Sequence, residues 1–412
     1  MVSIYPLKKA LIPVSTEAAK RISGPNYDEF QGDEEIQNLI KQNPDVVLRV
    51  TMAHCDATSP TEILKEGSSE ALEHAAKNMQ ELIDSDLTKI EKNILYIYEM
   101  EDPKRPSVRQ IGLGCMARTD EIRTKENPGG NIIRNEGVRE KKARARADMV
   151  EKTQAFIGTV NNGIADRSGK ITERLESYAD SRECNYSVVD QKDNTHKVWI
   201  ISEKKVLDEF VNLFKAAPEA YVADGNHRSA AALMLGLETF LTVFFVADRM
   251  RIDPYHRLIK DQKVSKKKLI EGIEKNFEVE ELDGLTKYQP EKIHEIGMYI
   301  DKNWYKLTVK PSAYNSADAV QSIDADIVQT RIFNEIMGIK DAADENFTYV
   351  GGDRGSKYLK EKVDTGEFDF AIAMAPVTMG QFIEVCNQNK FMPPKSTWFE
   401  PKLRSGLVVE LL

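Results

Sequence analysis

The chain has 412 residues, of which 41% are hydrophobic and 30% charged, with a formal net charge of −9. That is the balance of an ordinary soluble protein long enough for more than one core, and its acidity argues against broad nonspecific nucleic-acid binding. Four scattered cysteines without a C-x-x-C pair fit reduced thiols rather than a disulfide frame or a zinc site, and read as small core residues.

The opening residues Met1–Arg21 lack the unbroken apolar stretch and cleavage site of a signal peptide, so a cytoplasmic protein is expected. From Tyr27 to about Gly129 strands and helices alternate, with strands over 45–52 and 93–100 and a helix over 70–84. The Pro-Gly-Gly of Lys125–Asn131 can continue neither element and marks a boundary. A charged helix follows over 134–156, then a strand at 197–202, a helix at 206–216 and a strand at 241–246. The longest apolar run, Phe240–Ala247, falls far short of the ~20 residues that span a bilayer and reads as a buried strand. Beyond it come a lysine-rich helix over 264–276, a hairpin-like module with a strand at 304–309, and a strand at 368–374. Thr378 and Gln381 then have capping-box spacing before a helix bearing Phe382, Ile383, Val385 and Cys386. Three domains are expected, at 1–128, 129–262 and 263–412, in an α+β fold.

The most informative segment is Tyr221–Ala232, YVADGNHRSAAA, where an apolar strand breaks at Asp-Gly and restarts as an alanine-rich helix. A helix start leaves backbone N–H groups unpaired and carries partial positive charge, so it attracts phosphate. Gly225 allows a tight turn and Arg228 offers a two-pronged donor. Asp224 would repel phosphate unless it holds a metal ion or handles a proton. The same residues also describe an ordinary Asp-Gly turn with His227 and Arg228 in solvent.

Glu136 precedes a helix with five basic residues between Arg139 and Arg146, and suits either a general base or a partner for the helix dipole. Lys395, Ser396 and Thr397 follow two prolines that stiffen the backbone, giving a recognition loop or a braced surface loop. His256 and Arg257 read equally as cleft residues or helix-terminal charges. Two patterns are set aside. Gly112, Gly114 and Ala117 fit G-x-G-x-x-A with no long helix after them, and Gly163–Thr172 is a P-loop with one residue too many.

The Asp224–Arg228 turn, together with Phe391–Lys402 (FMPPKSTWFEPK), resembles the ParB/sulfiredoxin superfamily. The resemblance is in particular to the branch that includes free serine kinases and to a long prokaryotic family of unknown function, and it covers nearly the whole chain. The resemblance implies a ParB/sulfiredoxin-like core at 129–262, with an added N-terminal α/β domain and a C-terminal α/β region. It also implies a phosphotransferase that moves phosphate from ATP or ADP, with Mg²⁺, to a small hydroxyl compound such as serine. Glu136 is then the base, and Asp224 positions Mg²⁺ or assists proton transfer. Gly225, Asn226, His227 and Arg228 hold the donor phosphates, while Lys395, Ser396, Thr397, His256 and Arg257 meet the acceptor. Asn135 and Asn226 stand where those kinases have His, which leaves open a nucleotide-binding sensor without turnover. A ParB-like DNA binder lacks a helix-turn-helix here, and sulfiredoxin-like repair lacks its Cys at 226.

Overall fold

The computed structural model describes the chain except residues 31, 57–62, 261–263, 341–343 and 345. The fold is α+β, in two compact units. One comprises Met1–Arg134, Val138–Met250 and Pro401–Leu412, and the other Asn135–Gly137 and Arg251–Glu400.

The first unit is built on a nine-stranded sheet. Its central strand Thr239–Val246 (TFLTVFFV) is buried at every residue after the first, which is why it carries no polar alternation. It pairs in parallel with Val160–Ile164 and antiparallel with Arg109–Arg118. Gly112 and Gly114 lie on Arg109–Arg118, and a Cβ on Gly114 would sit 2.0 Å from the Tyr96 ring. These glycines make room for aromatic rings in the middle of a strand, not at the start of a helix. Ala220–Asp224 runs antiparallel to Val160–Ile164, with a bulge between Val222 and Asp224, and leads into the helix Asn226–Met234. That helix packs on Glu140–Thr153, whose contact face is kept small by the fully buried Ala143 and Ala147.

Two expectations differ from the structure. A domain boundary at 128/129 would cut this sheet, because Leu95–Glu101 and Arg109–Arg118 belong to the same sheet as Ala220–Asp224. The Pro-Gly-Gly segment is a turn inside the unit, with Gly130 packed on the backbone of Arg123 too closely for a Cβ. The boundary at 262/263 lies outside the described residues, and the units divide at Met250 and Arg251. The second difference is the strand over 45–52, where the structure has the short helix Leu48–Thr51. Helical spacing sends Val47 and Val50 into one apolar cluster and Leu48 and Met52 into another, and an extended chain could not make that division. The cysteines are free, with Cys55, Cys115 and Cys386 buried. Burial, then the charges of Asp33 and Glu66, push the Cys55 thiol up to about 12.

The second unit holds a six-stranded antiparallel sheet in the order Phe277–Leu282, Asn303–Val309, Glu295–Ile300, Phe370–Met374, Tyr255–Ile259 and Phe347–Gly351. The expected hairpin is present. Glu295–Ile300 and Asn303–Val309 are joined by Asp301 and Lys302, both at positive φ. Leu258, Tyr299, Trp304 and Leu359 form its core, the last from the helix Gly355–Asp364. Thr378 and Gln381 make the expected capping box ahead of Met379–Asn387. Among the described residues no helix is long and apolar enough to cross a membrane.

Candidate functional site

In the first unit the strand ends at Asp224, and Gly225 sits at φ 100° as the N-cap of the helix that begins at Asn226. Gly225 is required twice over. Its φ is one that side chains rarely adopt, and a Cβ there would lie 2.9 Å from Arg228 Nε. Arg228 folds back over the turn, donating from Nη2 to Asp224 Oδ2 at 2.8 Å and from Nη1 to the Thr159 carbonyl at 2.6 Å. Lys402 Nζ, almost buried, lies 3.9 Å from the same Asp224 oxygen. The carboxylate is therefore flanked by two cations. His227 Nε2 accepts from the Arg139 N–H at 3.2 Å, which leaves its proton on Nδ1. Asn226 is buried.

Two cavities border this turn. One, of about 80 Å³, is mainly apolar, lined by Met149, Phe156, Ile157, Gly158 and Arg228, with Tyr27 at its edge beneath the Arg146 guanidinium at 4.4 Å. The other, about 930 Å³, has His227, Lys141, Lys142, Arg144 and Arg146 on its walls together with the carboxylates of Asp33, Glu66 and Asp148. Arg144 is occupied by Asp148 and Glu151.

The second unit brings together the remaining candidates. The Met392 N–H donates to Asn135 O at 2.9 Å, so Glu136 runs beside the start of the Phe391–Lys402 loop. Within that loop Lys395 adopts φ 62°, and its Nζ donates to Tyr255 Oη at 3.0 Å. The buried Ser396 hydroxyl donates to the Pro393 carbonyl at 2.6 Å, and Thr397 is half-buried. His256 and Arg257 are no helix-terminal charges, since both are buried inside the strand Tyr255–Ile259. The His256 Nδ1 accepts from the Met374 N–H at 3.1 Å, and burial, then the Arg257 charge, drives its pKa down to about 3. Arg257 donates to the carbonyls of Tyr255 and Lys395 and pairs with no carboxylate among the described residues. Burial holds its guanidinium below the ordinary value.

Sequence reasoning missed Lys402, Thr159 and Tyr255. Lys402 belongs to the quoted FMPPKSTWFEPK segment, yet nothing in that segment ties it to a residue 178 positions earlier. Only Thr159 carried a local signal, in the Gly158–Gly163 run with two asparagines inside an otherwise apolar strand.

A family profile matches residues 4–326. The chain belongs to DUF1015, a family described as a protein of unknown function. The match takes in Glu136, Asp224–Arg228 and Arg257 and ends before Lys395–Thr397. No curated protein matches the chain. Among solved structures it is similar to SbnI with C-terminal truncation from Staphylococcus aureus, at 12% identity and TM-score 0.40, covering 72% of this chain and 87% of that one. A free serine kinase in complex with AMP has 12% identity and TM-score 0.36, covering 67% and 89%. A conserved hypothetical protein from Pyrococcus furiosus has 13% identity and TM-score 0.37, covering 68% and 92%. All three TM-scores lie below 0.5, and no residue role is carried over from them.

Proposed function

We propose that this chain is a nucleotide-dependent phosphotransferase of ParB/sulfiredoxin-like type, moving phosphate from ATP or ADP to a small hydroxyl compound such as free serine. The observation that carries the reading is the turn from Asp224 to Arg228, a strand end opening through a positive-φ glycine onto a helix N-terminus beside two cations. Donor phosphates would meet the backbone of Gly225, Asn226 and His227, with Arg228 and Lys402 balancing their charge. The apolar cavity beside Gly158 and Arg228 suits a nucleotide base, and the larger basic cavity suits the phosphate tail.

Acceptor binding falls to the second unit. Arg257, buried without a carboxylate, is suited to an acidic group on the acceptor, while Lys395, Ser396 and Thr397 offer polar heads on a stiff loop. Glu136 is the proposed base for the hydroxyl proton. His256 is buried and neutral and supports the strand rather than transferring protons. For magnesium, Asp224 offers a single carboxylate already neutralised by Arg228 and Lys402, which does not fit a resident ion. Asp224 is therefore assigned to holding the two cations in register.

The second reading, a sensor that binds nucleotide without turnover, is favoured by one observation. Asn226 is buried and cannot carry the charge or proton that histidine would. ATP and ADP assayed with serine and a panel of hydroxyl metabolites, with Glu136→Gln alongside, separate the two. Phosphorylated product lost in Glu136→Gln supports the kinase. Nucleotide binding by calorimetry without any product selects the sensor, and absence of both refutes a nucleotide site.

A further inference from the structure

The helix Asp33–Gln42 and the short turn Ala53–Cys55 meet in the first unit, where Asp33 also lines the larger cavity that His227 borders. Asp33 opens the helix with its side chain half-exposed, whereas His54 and Cys55 are buried. His54 Nε2 lies 3.3 Å from Asp33 Oδ1. The ligating atoms of Asp33, His54 and Cys55 all lie within 4.8 Å of one another. Leu64 donates its N–H to the His54 carbonyl at 2.9 Å, which pins the following Lys65–Gly67 turn to the same corner. Glu66, on that turn, is close enough for its charge to be felt at the Cys55 sulfur.

Thiol, imidazole and carboxylate together are a soft-to-borderline donor set, which suits zinc and not magnesium or calcium. Packing alone does not call for the combination. A buried cysteine needs no carboxylates beside it, and carboxylates near a thiol oppose its ionisation unless a cation lies among them. Tetrahedral coordination needs ligand atoms about 3–4 Å apart, and the observed separations, none above 4.8 Å, leave only a small contraction to be made on binding. We propose that Asp33, His54 and Cys55 bind one Zn²⁺-class ion, with Glu66 or water as the fourth ligand. On binding, the Cys55 thiol proton leaves to solvent and the sulfur–metal bond forms, while His54 presents the Nε2 lone pair in place of its contact with Asp33. The helix and the turn, otherwise joined by apolar contacts and the Asp33–His54 contact, are thereby clipped together.

The test uses the full chain stripped by a chelator and titrated with Co²⁺ and then with Zn²⁺ alone. The expected result is one equivalent of metal, a near-ultraviolet sulfur-to-cobalt charge-transfer band displaced by Zn²⁺, and a Zn²⁺-dependent rise in Tm. Cys55→Ser should abolish the band. Asp33→Asn, at a half-exposed position where folding is not at stake, should keep the band and weaken Zn²⁺ affinity about tenfold or more. Absence of a thiolate band in the unaltered chain, or Zn²⁺ affinity unchanged in both variants, overturns the site. These readouts need no nucleotide, so they stand or fall apart from the kinase reading.

Discussion

Gly225→Ala tests the turn most directly. The backbone there sits at φ 100°, ψ 26°, and forcing an L-residue into such a region costs about 1–3 kcal/mol. The new Cβ would also lie 2.9 Å from Arg228 Nε and 3.2 Å from its Cζ, so the guanidinium has to move. That movement breaks the Asp224 pair at 2.8 Å and the bond to the Thr159 carbonyl, together about 1 kcal/mol for groups still partly in solvent. The expected loss is therefore about 2–4 kcal/mol, read as a lower urea midpoint with an unchanged slope. Gly129→Ala is the control, because Gly129 is exposed with no atom within 4 Å of its Cβ position, and it should change the midpoint by less than about 0.5 kcal/mol. Calorimetry with ADP should show binding weakened in Gly225→Ala and retained in Gly129→Ala. A Gly225→Ala protein as stable as the unaltered chain, with ADP binding intact, would falsify the account of this turn.

His256 has a pKa lowered from 6.5 to about 3 in the folded chain, so between those values the unfolded chain binds the extra proton. Stability is then lost as pH falls below about 6.5, by about 3 kcal/mol at pH 4.5, and His256→Gln should lack that part of the slope in urea melts at pH 7 and 4.5. Parallel pH dependence in the two proteins rules the explanation out. Gly114→Ala drives a Cβ into the Tyr96 ring at 2.0 Å and should cost more than about 3 kcal/mol or prevent soluble expression, and an unaltered midpoint refutes the packing argument. Ser396→Ala removes the donor to the Pro393 carbonyl and should cost about 1 kcal/mol. If the loop meets the acceptor, the same variant raises the acceptor KM more than it lowers kcat, and the reverse pattern argues for a role in the chemical step.

Much of the fold was legible because its signals are local. The strand Thr239–Val246 announces itself as an apolar run, the helix Ser69–Ile83 by its period, and the capping box at Thr378 by spacing alone. The strand–glycine–helix layout at Asp224–Asn226 follows from Asp-Gly between an apolar run and alanines. What the sequence hides is whatever long-range packing decides. Val46–Val50 has strand-forming residues, yet two separate clusters impose a helix on them. Pro-Gly-Gly looks like a linker, yet it is a turn inside one sheet-built unit. His256 and Arg257 read equally as cleft residues or helix-terminal charges, and only the pairing of Tyr255–Ile259 with two neighbouring strands makes them interior.

The role of Asp224 turns on Arg228 and Lys402. As a metal ligand it would be needed for nucleotide binding, and Asp224→Asn would weaken it. As counter-ion to two cations, it competes with the phosphate those cations would otherwise bind, so removing its charge should strengthen anion binding. The distances favour the second, with one cation at 2.8 Å and the other at 3.9 Å from the same oxygen. One charge at such a distance is worth about 4 kcal/mol at an effective dielectric of 20. Asp224 and Arg228 are partly exposed, and a neutral amide still occupies the position, so about 1–2 kcal/mol should reach binding, roughly tenfold in Kd. Calorimetry with inorganic pyrophosphate, with and without Mg²⁺, reads this directly. Tighter binding in Asp224→Asn, indifferent to Mg²⁺, supports the counter-ion role. Weaker binding, lost only in the presence of Mg²⁺, restores Asp224 as a metal ligand and overturns the assignment made here.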